Sequence, residues 1–391
     1  MRIRNNAVVV GKVSLLVVLL LVGLAVLGCY GTKTSPEGGS GGVVADGTLF
    51  LAPSVKAASG GFGCTPAAVD SKLVALSAAD GTRFWEVPLE GSSSGGGFGC
   101  SPTAIPAAIY GSPAVAGELV YVGGYNGKIY AINASSGVLR WVYPREGSLE
   151  PIIGGVIVAL DRVYFGCSDG KAYALDAATG DIQQGFPFTT GGKIWATPAV
   201  SGDTLYIGCF DKKLYAFNAV NGTKQWEYLA EGAIVSTPLV YNDTVYIGSF
   251  DRNFYALDAA SGRLKWQFPA EKWFWTKAVV YNGTIYAGCF DGKVYALGAE
   301  NGQELAAVDL GSAIYSWPVL VDGRVIVATE KGEIYAIDAA SNQETLLADI
   351  EEAIYAPLSA EGGVIYIYSQ EQNLYALNAD SGANLWNLTI K

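Results

Sequence analysis

Short runs of hydrophobic and small residues recur along most of this chain. The run "TVYIGS", from Thr244, alternates β-branched and aromatic residues with small ones, which is typical of a β-strand. A turn follows, and the run "NFYAL", from Asn253, continues the pattern. No helical periodicity of useful length appears after residue 28. We therefore predict that the chain beyond that point is all β.

The pattern repeats as a longer unit. Variants of the phrase Ala, apolar, Asp or Asn, Ala, two small residues and Gly begin at Ala75, Ala131, Ala174, Ala216, Ala256, Ala296, Ala336 and Ala376. From the second copy onward the spacing is 43, 42 and then 40 residues, the period of a propeller blade of four short strands. Residues 41–391 are predicted to form one eight-bladed β-propeller of four-stranded antiparallel blades.

Residues at fixed places in the repeat support this prediction. Turn dipeptides stand at Asn126-Gly127, Asp169-Gly170, Asp291-Gly292 and Lys331-Gly332, and they suit tight hairpins. The repeated phrase ends in Gly in seven copies and in Asn342 in the remaining one, and both residue types tolerate a left-handed backbone. Four residues later, five copies carry a Trp, which we expect to pack between neighbouring blades: Trp85, Trp141, Trp226, Trp266 and Trp386.

The N-terminus has the pattern of an export signal. Arg2, Arg4 and Lys12 precede or enter an apolar run that ends in Gly28 before Cys29. This arrangement predicts a bacterial lipoprotein signal at residues 1–28, lipidation of Cys29 and a flexible tether at residues 29–40. The alternative is an uncleaved membrane anchor. Either interpretation predicts an extracytoplasmic protein, anchored to the cell membrane or an outer membrane.

The repeats resemble a known family. "SPAV", from Ser112, followed by "LVYVGGYNGKIYAINASSGVLRW", from Leu119, is similar to the pyrroloquinoline-quinone-like repeat. Eight-bladed members of that family include quinoprotein alcohol dehydrogenases and the propeller lipoprotein of the outer-membrane β-barrel assembly machinery. This chain resembles the assembly lipoprotein more than the dehydrogenases. The resemblance implies the fold, whereas a shared fold does not by itself fix a function.

Cysteines fall into groups. Cys167, Cys209 and Cys289 occupy one column of small residues, so we predict buried free thiols. Cys64 and Cys100 stand in two Gly-rich insertions of the first blade. The second-to-third-strand loop and the connection to the next blade emerge on one face of a propeller, here called the upper face. We therefore predict a disulfide between Cys64 and Cys100, the alternative being two unpaired thiols.

Aromatic and charged residues gather near the predicted start of the innermost strands, on the upper face. Their mixture is typical of a recognition surface, and the alternative is that the aromatic residues fill a wide channel. "PAEKWFWTK", from Pro269, argues against filling alone, because three successive aromatic residues cannot all face one interior. The candidate binding residues are Tyr110, Lys193, Trp195, Glu231, Lys272, Trp273, Trp275, Lys277, Tyr315, Trp317 and Tyr355.

The composition argues against several classes of partner and of catalytic site. The chain has 25 basic and 36 acidic residues, a net charge of −11, and no His. Without residues 1–28, which hold three basic residues and no acidic one, the net charge is −14. This charge disfavours nucleic acid and anionic lipid as partners, so contact with the membrane is predicted through the lipid anchor only. The absence of His excludes His-dependent triads.

We predict no catalytic residues, no metal site and no cofactor. The dehydrogenases that the repeats resemble typically have an adjacent Cys pair and a calcium ion held by Glu, Asn and Asp, and this sequence shows neither feature. The leading hypothesis is a non-enzymatic scaffold, a monomer or a subunit of a larger complex, that binds a protein or peptide on the upper face in envelope protein assembly. The alternatives are an enzyme that binds pyrroloquinoline quinone with calcium and a carbohydrate or cell-wall binding module.

Overall fold

The chain folds as a ring of blades. The computed structural model describes residues 40–53, 71–89 and 108–390, together with the backbone of residues 92–93 and 104–105. These ranges form eight four-stranded antiparallel sheets and a separate two-stranded hairpin, and they contain no helix. The prediction of an all-β, eight-bladed propeller is confirmed.

Each blade is built from strands that pair in chain order. The first four blades consist of β1 (Val43–Ala45), β2 (Thr48–Leu51), β3 (Ser71–Ser77) and β4 (Arg83–Leu89); β7 (Ala114–Ala116), β8 (Leu119–Gly123), β9 (Ile129–Asn133) and β10 (Leu139–Tyr143); β11 (Ile157–Ala159), β12 (Arg162–Gly166), β13 (Lys171–Asp176) and β14 (Phe188–Thr189); β15 (Ala199–Ser201), β16 (Thr204–Gly208), β17 (Lys213–Asn218) and β18 (Lys224–Leu229). The hairpin of β5 (Ser92–Ser93) and β6 (Ala104–Ile105) lies between the first two blades in sequence.

The remaining blades follow the same order. They consist of β19 (Leu239–Tyr241), β20 (Thr244–Gly248), β21 (Asn253–Asp258) and β22 (Leu264–Pro269); β23 (Val279–Tyr281), β24 (Thr284–Gly288), β25 (Lys293–Gly298) and β26 (Glu304–Asp309); β27 (Val319–Val321), β28 (Arg324–Ala328), β29 (Glu333–Asp338) and β30 (Glu344–Asp349); β31 (Ser359–Glu361), β32 (Val364–Tyr368), β33 (Asn373–Asn378) and β34 (Asn384–Thr389). The first strand of a blade approaches the first strand of the next, as β27 and β31 do, so the first strands surround the axis of the ring.

Eight hydrophobic clusters, one at each interface between neighbouring blades, form the core. The Trp residues of the repeat lie at these interfaces, as predicted. Trp226 is buried, and its Nε1 donates a hydrogen bond to the carbonyl of Ala259 in the next blade at 3.0 Å. A β-bulge interrupts the pairing of β17 and β18 beside this Trp. Since bulges redirect side chains, the bulge helps to orient Trp226 toward its neighbour.

A Tyr that the sequence pattern did not single out shares this role. Tyr206 of β16 donates its hydroxyl to the same Ala259 carbonyl at 3.1 Å. The arrangement recurs at the next interface, where Tyr246 and Trp266 both donate to the carbonyl of Ala299. One backbone acceptor thus receives two side-chain donors from the preceding blade, which fixes the relative position of the two sheets.

The ring closes by the same contacts. Tyr366 and Trp386 of the last blade donate to the carbonyl of Ala78 in the first blade, at 3.0 and 3.2 Å. The hydrophobic cluster around Leu49 and Tyr368 joins the same two blades. The first blade consists of β1, β2, β3 and β4 and the last of β31, β32, β33 and β34, so each is built from one continuous segment of the chain. The closing interface is therefore noncovalent within the described residues, and no strand is exchanged between the terminal blades.

The turns have the backbone that the sequence predicts. Gly292 has a φ of 92° in the turn between β24 and β25, and Asn342 has a φ of 57° in the place where other copies have Gly. In three blades, however, the second-to-third-strand turn places a residue with a side chain at positive φ: Lys212, Arg252 and Gln372, with φ of 73°, 74° and 67°. Such residues carry a steric penalty that Gly avoids.

The three cysteines of the repeat column are buried free thiols, as predicted. Each Sγ lies against a carbonyl of the connection that enters its own blade, as Cys209 does with Gly192 at 3.3 Å. Burial raises the pKa of Cys209 to about 11 and that of Cys289 to about 12, and it also raises the pKa of Cys167. These thiols are protonated at neutral pH and pack as small apolar side chains.

Candidate functional site

The aromatic candidates lie in the connections between blades, and not at the start of the innermost strands as the sequence suggested. Trp195 and Trp275 each stand four residues before the first strand of the following blade, β15 and β23. Pro198 immediately precedes β15. Ala278 stands in the equivalent place before β23, and that strand begins at the same position of the repeat, so the strand boundary does not depend on the proline.

These connections and the second-to-third-strand turns bring aromatic rings together along the upper face. The cluster, which we call the aromatic arc, comprises Trp195, Phe210, Phe250, Trp273, Trp275, Phe290, Tyr315 and Tyr355. It runs from the connection before the fourth blade to the connection before the eighth. Most of its rings are partly exposed, whereas Phe290 and Tyr315 are buried.

Phe250 is the centre of the aromatic arc. Its ring stacks against Trp273 and Trp275, with centroids 4.8 and 5.4 Å away and planes inclined by 21° and 23°. Phe274, between the two Trp residues, points the other way into the core and is 1% exposed. This confirms that the three successive aromatic residues do not all face one interior. Offset stacking of this kind holds large apolar side chains in fixed positions.

The arc continues on both sides of Phe250. Phe210 meets Phe250 at 6.4 Å and Trp195 at 4.6 Å, both edge to face. On the other side, Phe290 lies 6.1 Å from Trp275 and 4.4 Å from Tyr315, between ring centroids. Because each connection residue contacts a turn residue of a neighbouring blade, the rings form a continuous series across successive blades.

Phe210, Phe250 and Phe290 were missed by the reading of the sequence. They occupy one column, directly after Cys209, Ser249 and Cys289. The signal was present as an apolar aromatic residue next to the Asp of a turn that should face solvent, in "GCFDKK", "GSFDRN" and "GCFDGK". The aromatic residues that contact this Phe column, such as Trp273 and Trp275 beside Phe250, lie about half a repeat away in sequence. Only the fold therefore shows that the turns and the connections meet.

The ends of the arc are fixed by polar contacts. Trp195 Nε1 donates to the Ser168 hydroxyl at 3.2 Å, and the Tyr355 hydroxyl donates to Glu330 Oε1, also at 3.2 Å. Burial raises the pKa of the Tyr315 hydroxyl, as expected for a ring that fills space. The arc therefore combines a packed inner part with an accessible outer part.

The other candidate binding residues described here are not part of the aromatic arc. Tyr110 packs against Tyr125, with ring centroids 5.8 Å apart, and burial raises its pKa. Trp317 is partly buried, and its carbonyl accepts a hydrogen bond from the Leu358 amide at 3.4 Å. Lys193, Glu231 and Lys272 are exposed on the connections that carry the arc.

Backbone contacts fix these connections to the blades. The Phe290 amide donates to the Trp273 carbonyl at 3.1 Å, and the thiol of Cys289 lies 3.4 Å from the same oxygen. Asp251 accepts hydrogen bonds from the amides of Glu231 and Gly232 at 2.9 and 3.0 Å. The arc is thus presented by connections that are held at several points, which limits the entropy lost when a partner binds.

Three candidate residues fall outside the described ranges: Cys29, Cys64 and Cys100. Lipidation and the disulfide therefore stay predictions. The two segments that carry Cys64 and Cys100 follow β2 and β4 in sequence.

In the ranges that the structure covers, no three Cys, Asp or Glu side chains are grouped so that they could hold a metal ion. No helix long and apolar enough to cross a membrane is formed by the described part of the chain.

Comparison with protein families identifies the repeat. The family model described as "Outer membrane protein assembly factor BamB" matches residues 31–190 and again 188–388. The two matches together span nearly the whole chain. The chain belongs to this family. None of the curated proteins compared with the chain matches it significantly.

Solved structures share the family fold. The crystal structure of BamB from Moraxella catarrhalis is 17% identical, with a TM-score of 0.66, and the match covers 85% of this chain and 91% of that one. The computationally designed Ika8 protein is 14% identical, with a TM-score of 0.68, and the match covers 88% of this chain and 97% of that one. A natural assembly factor and a designed protein are similarly good matches, so these structural likenesses show the fold alone.

Proposed function

We propose that this protein is a non-enzymatic scaffold that binds a protein or peptide partner on its upper face and acts in envelope protein assembly outside the cytoplasm. A lipid on Cys29 would tether it to the membrane. Family membership supports an assembly-factor role. The observation that carries the proposal is the partly exposed aromatic arc, held by anchored connections on a single face of the ring.

Aromatic residues in a rigid setting are suited to protein recognition. Trp and Tyr are enriched among the residues that dominate binding energy at protein interfaces. Trp273 and Trp275 are already stacked on Phe250, so little side-chain freedom is left to lose on association. Exposed Lys193, Glu231 and Lys272 surround the arc with polar groups, which is the usual composition of an interface rim.

Site-specific photo-crosslinking in cells that produce the full-length chain tests this proposal. A photoreactive amino acid at Lys272, beside the arc, should give a discrete protein adduct. The matched control places the same amino acid at Glu300, which is exposed at the opposite end of the sixth blade, and it should give no such adduct. Trp273→Ala should weaken the adduct, because loss of a dominant aromatic contact lowers affinity by about 2 kcal/mol, roughly 30-fold.

Other results would select another function. No adduct from Lys272 above the level at Glu300 would refute a protein partner on the upper face. If Trp fluorescence of the purified protein instead responded saturably to pyrroloquinoline quinone with calcium, the quinoprotein alternative would replace the scaffold. Saturable binding of cell-wall oligosaccharides in the same assay would favour the carbohydrate-binding alternative.

A further inference from the structure

Two long cationic side chains stand at a turn position that other blades give to Gly. Lys212 and Arg252, here called the cationic pair, have φ of 73° and 74° in the upper-face turns of the fourth and fifth blades. A side chain at positive φ carries a steric cost, and backbone held in this way often lies at functional sites. The sequence therefore keeps two charges where Gly would be more stable. Four other blades have Gly at this place of the repeat: Gly127, Gly170, Gly292 and Gly332.

The cationic pair has no counter-charge inside the protein. Both residues are exposed, and neither side chain forms a hydrogen bond or an ion pair within the described ranges. Other lysines of the same turns differ in this respect. Lys213 pairs with Glu227 at 2.5 Å, and Lys293 pairs with Glu271 at 3.5 Å. The charges of the cationic pair are therefore available to a ligand.

The Asp residues of the same two turns already have hydrogen-bond donors of their own. Asp211 accepts hydrogen bonds from the Gly191 amide at 2.8 Å and from the Tyr215 hydroxyl at 2.5 Å. Asp251 accepts one from the Tyr255 hydroxyl at 2.8 Å, in addition to the two backbone amides described above. These carboxylates hold each turn to its blade and to the adjoining connection. Their role explains the Asp residues of the turns but not the cations.

The cationic pair borders the centre of the aromatic arc. Lys212 follows Phe210 by two residues and Arg252 follows Phe250 by two, and the two Phe rings are 6.4 Å apart between centroids. The Arg252 carbonyl also accepts a hydrogen bond from the Ala270 amide at 2.9 Å, in the connection that carries the two stacked Trp residues. Exposed positive charge and exposed apolar rings are thus neighbours on one surface.

Charge is distributed unevenly along the arc. Lys193 and Lys272 are further exposed cations near its centre, with Glu231 as an exposed carboxylate, whereas Glu351 and Glu371 are exposed at the end beside the eighth blade. The whole chain is acidic, with a net charge of −11, so an extended anionic surface such as a membrane is repelled. A short acidic segment responds mainly to charges within roughly 8–10 Å at physiological ionic strength. The centre of the arc therefore favours an acidic peptide segment over an anionic lipid surface.

We propose that the cationic pair binds Asp or Glu side chains in an acidic segment of the protein partner, whose apolar side chains contact the aromatic arc. This rests on the proposed function and adds the chemistry of the partner. Ammonium and guanidinium groups donate charge-assisted hydrogen bonds to carboxylates. Complementary charges at the rim of an interface select the partner and speed its association.

Calorimetric titration of the full-length protein in a nonionic detergent tests the proposal. The probes are N-acetyl-Glu-Phe-Glu-Phe-Glu-amide and a neutral counterpart with Gln in place of each Glu. The Glu peptide should bind about tenfold more tightly than the Gln peptide, as expected for two exposed ion pairs worth about threefold each. High salt should remove this difference, because exposed ion pairs are screened.

The repeat itself supplies a replacement that the turn accepts. Gln372 holds the equivalent place in the eighth blade, with a φ of 67°. The double variant Lys212→Gln, Arg252→Gln should therefore fold and should bind the Glu and Gln peptides equally. Arg252→Lys should keep most of the preference. The matched control Lys331→Gln removes an exposed charge from the upper-face turn of the seventh blade and should leave the preference unchanged.

Gly variants separate binding from stability. Lys212→Gly and Arg252→Gly relieve the positive φ and should raise the midpoint of urea unfolding, while each weakens the Glu peptide by about threefold. Higher stability at the expense of binding is the trade-off expected of a functional residue. Gly variants that retain the full preference for the Glu peptide, whatever their stability, would show that the cationic pair has no part in binding.

The remaining outcomes are also decisive. Equal binding of the two peptides by the unmodified protein, or binding of neither, would overturn the proposal. Displacement of the Glu peptide by phosphatidylglycerol but not by phosphatidylcholine, in mixed micelles, would assign the cationic pair to anionic lipid instead. Photo-crosslinking from Lys272 tests the scaffold separately. An adduct of equal strength in the double variant would refute only the acidic segment, whereas no adduct in either protein would refute the scaffold.

Discussion

The carbonyl of Ala78 should couple two side chains that close the ring. It accepts hydrogen bonds from Tyr366 and Trp386, and each bond contributes about 1 kcal/mol. Tyr366→Phe or Trp386→Phe alone should destabilise the protein by about that amount, plus the packing lost with the indole ring. In either single variant the remaining donor still satisfies the carbonyl.

The double variant removes both donors. The carbonyl of Ala78, a residue that is 5% exposed, is then left without a side-chain partner, and an unsatisfied buried group costs about 1–3 kcal/mol. The double variant should therefore lose more stability than the sum of the single variants, by about 1 kcal/mol. Urea unfolding followed by far-UV circular dichroism gives the unfolding free energies of the wild type, the two single variants and the double variant. The cycle is valid when all four proteins have the same m-value.

A matched cycle at an internal interface is the control. Tyr246 and Trp266 donate to the Ala299 carbonyl at 2.9 and 3.0 Å, so Tyr246→Phe and Trp266→Phe should show a similar coupling. Additive effects at both interfaces, within about 0.3 kcal/mol, would refute the argument that one acceptor depends on two donors. Coupling at the internal interface alone would mean that the ring is not closed by these contacts.

Three further predictions concern the turns and the cysteines. Stability should fall as pH rises from about 9, where thiols of the unfolded chain ionise, toward the raised pKa of about 11 for Cys209 in the folded protein. Cys209→Ser should make this slope shallower in urea titrations at several pH values, while Cys167 and Cys289, whose pKa values are also raised, keep their share of it. Arg252→Gly should stabilise the protein by about 0.5–1 kcal/mol, because Arg252 has a φ of 74° that Gly adopts without steric penalty. The control Gln267→Gly, at an exposed position within β22, should destabilise the protein in the same urea assay. Thiol counting on the mature, lipidated protein, unfolded without reductant, should find three free cysteines, whereas five would exclude the disulfide between Cys64 and Cys100.

The sequence determined the architecture because the information for a blade is local. Strand alternation, a tight turn and a small-residue phrase recur within about 40 residues, and each feature acts on neighbours in the chain. The positive φ of Asn342 and the interblade position of Trp226 followed directly from their places in the repeat. The buried thiols could be predicted in the same way, because a column of small residues marks a packed position.

The sequence pattern identified only part of the candidate site. Trp273, Phe274 and Trp275 stood out because three successive aromatic residues cannot share one interior, and the structure places both Trp side chains against Phe250 and Phe274 in the core on the other side. Phe250, their stacking partner, belongs to a turn that the local pattern explains fully without it. The innermost strand β15 begins four residues after Trp195, so this Trp lies in the connection and not in the strand.

Tertiary structure decided every contact between repeats. Ala78 meets Trp386 across more than 300 residues of sequence, and Phe250 stacks on Trp273 only because two blades are neighbours. Alternation and turn chemistry depend on residues within a few positions of each other. Ring closure and aromatic stacking depend on which surfaces the closed ring brings together, and a local pattern does not encode them.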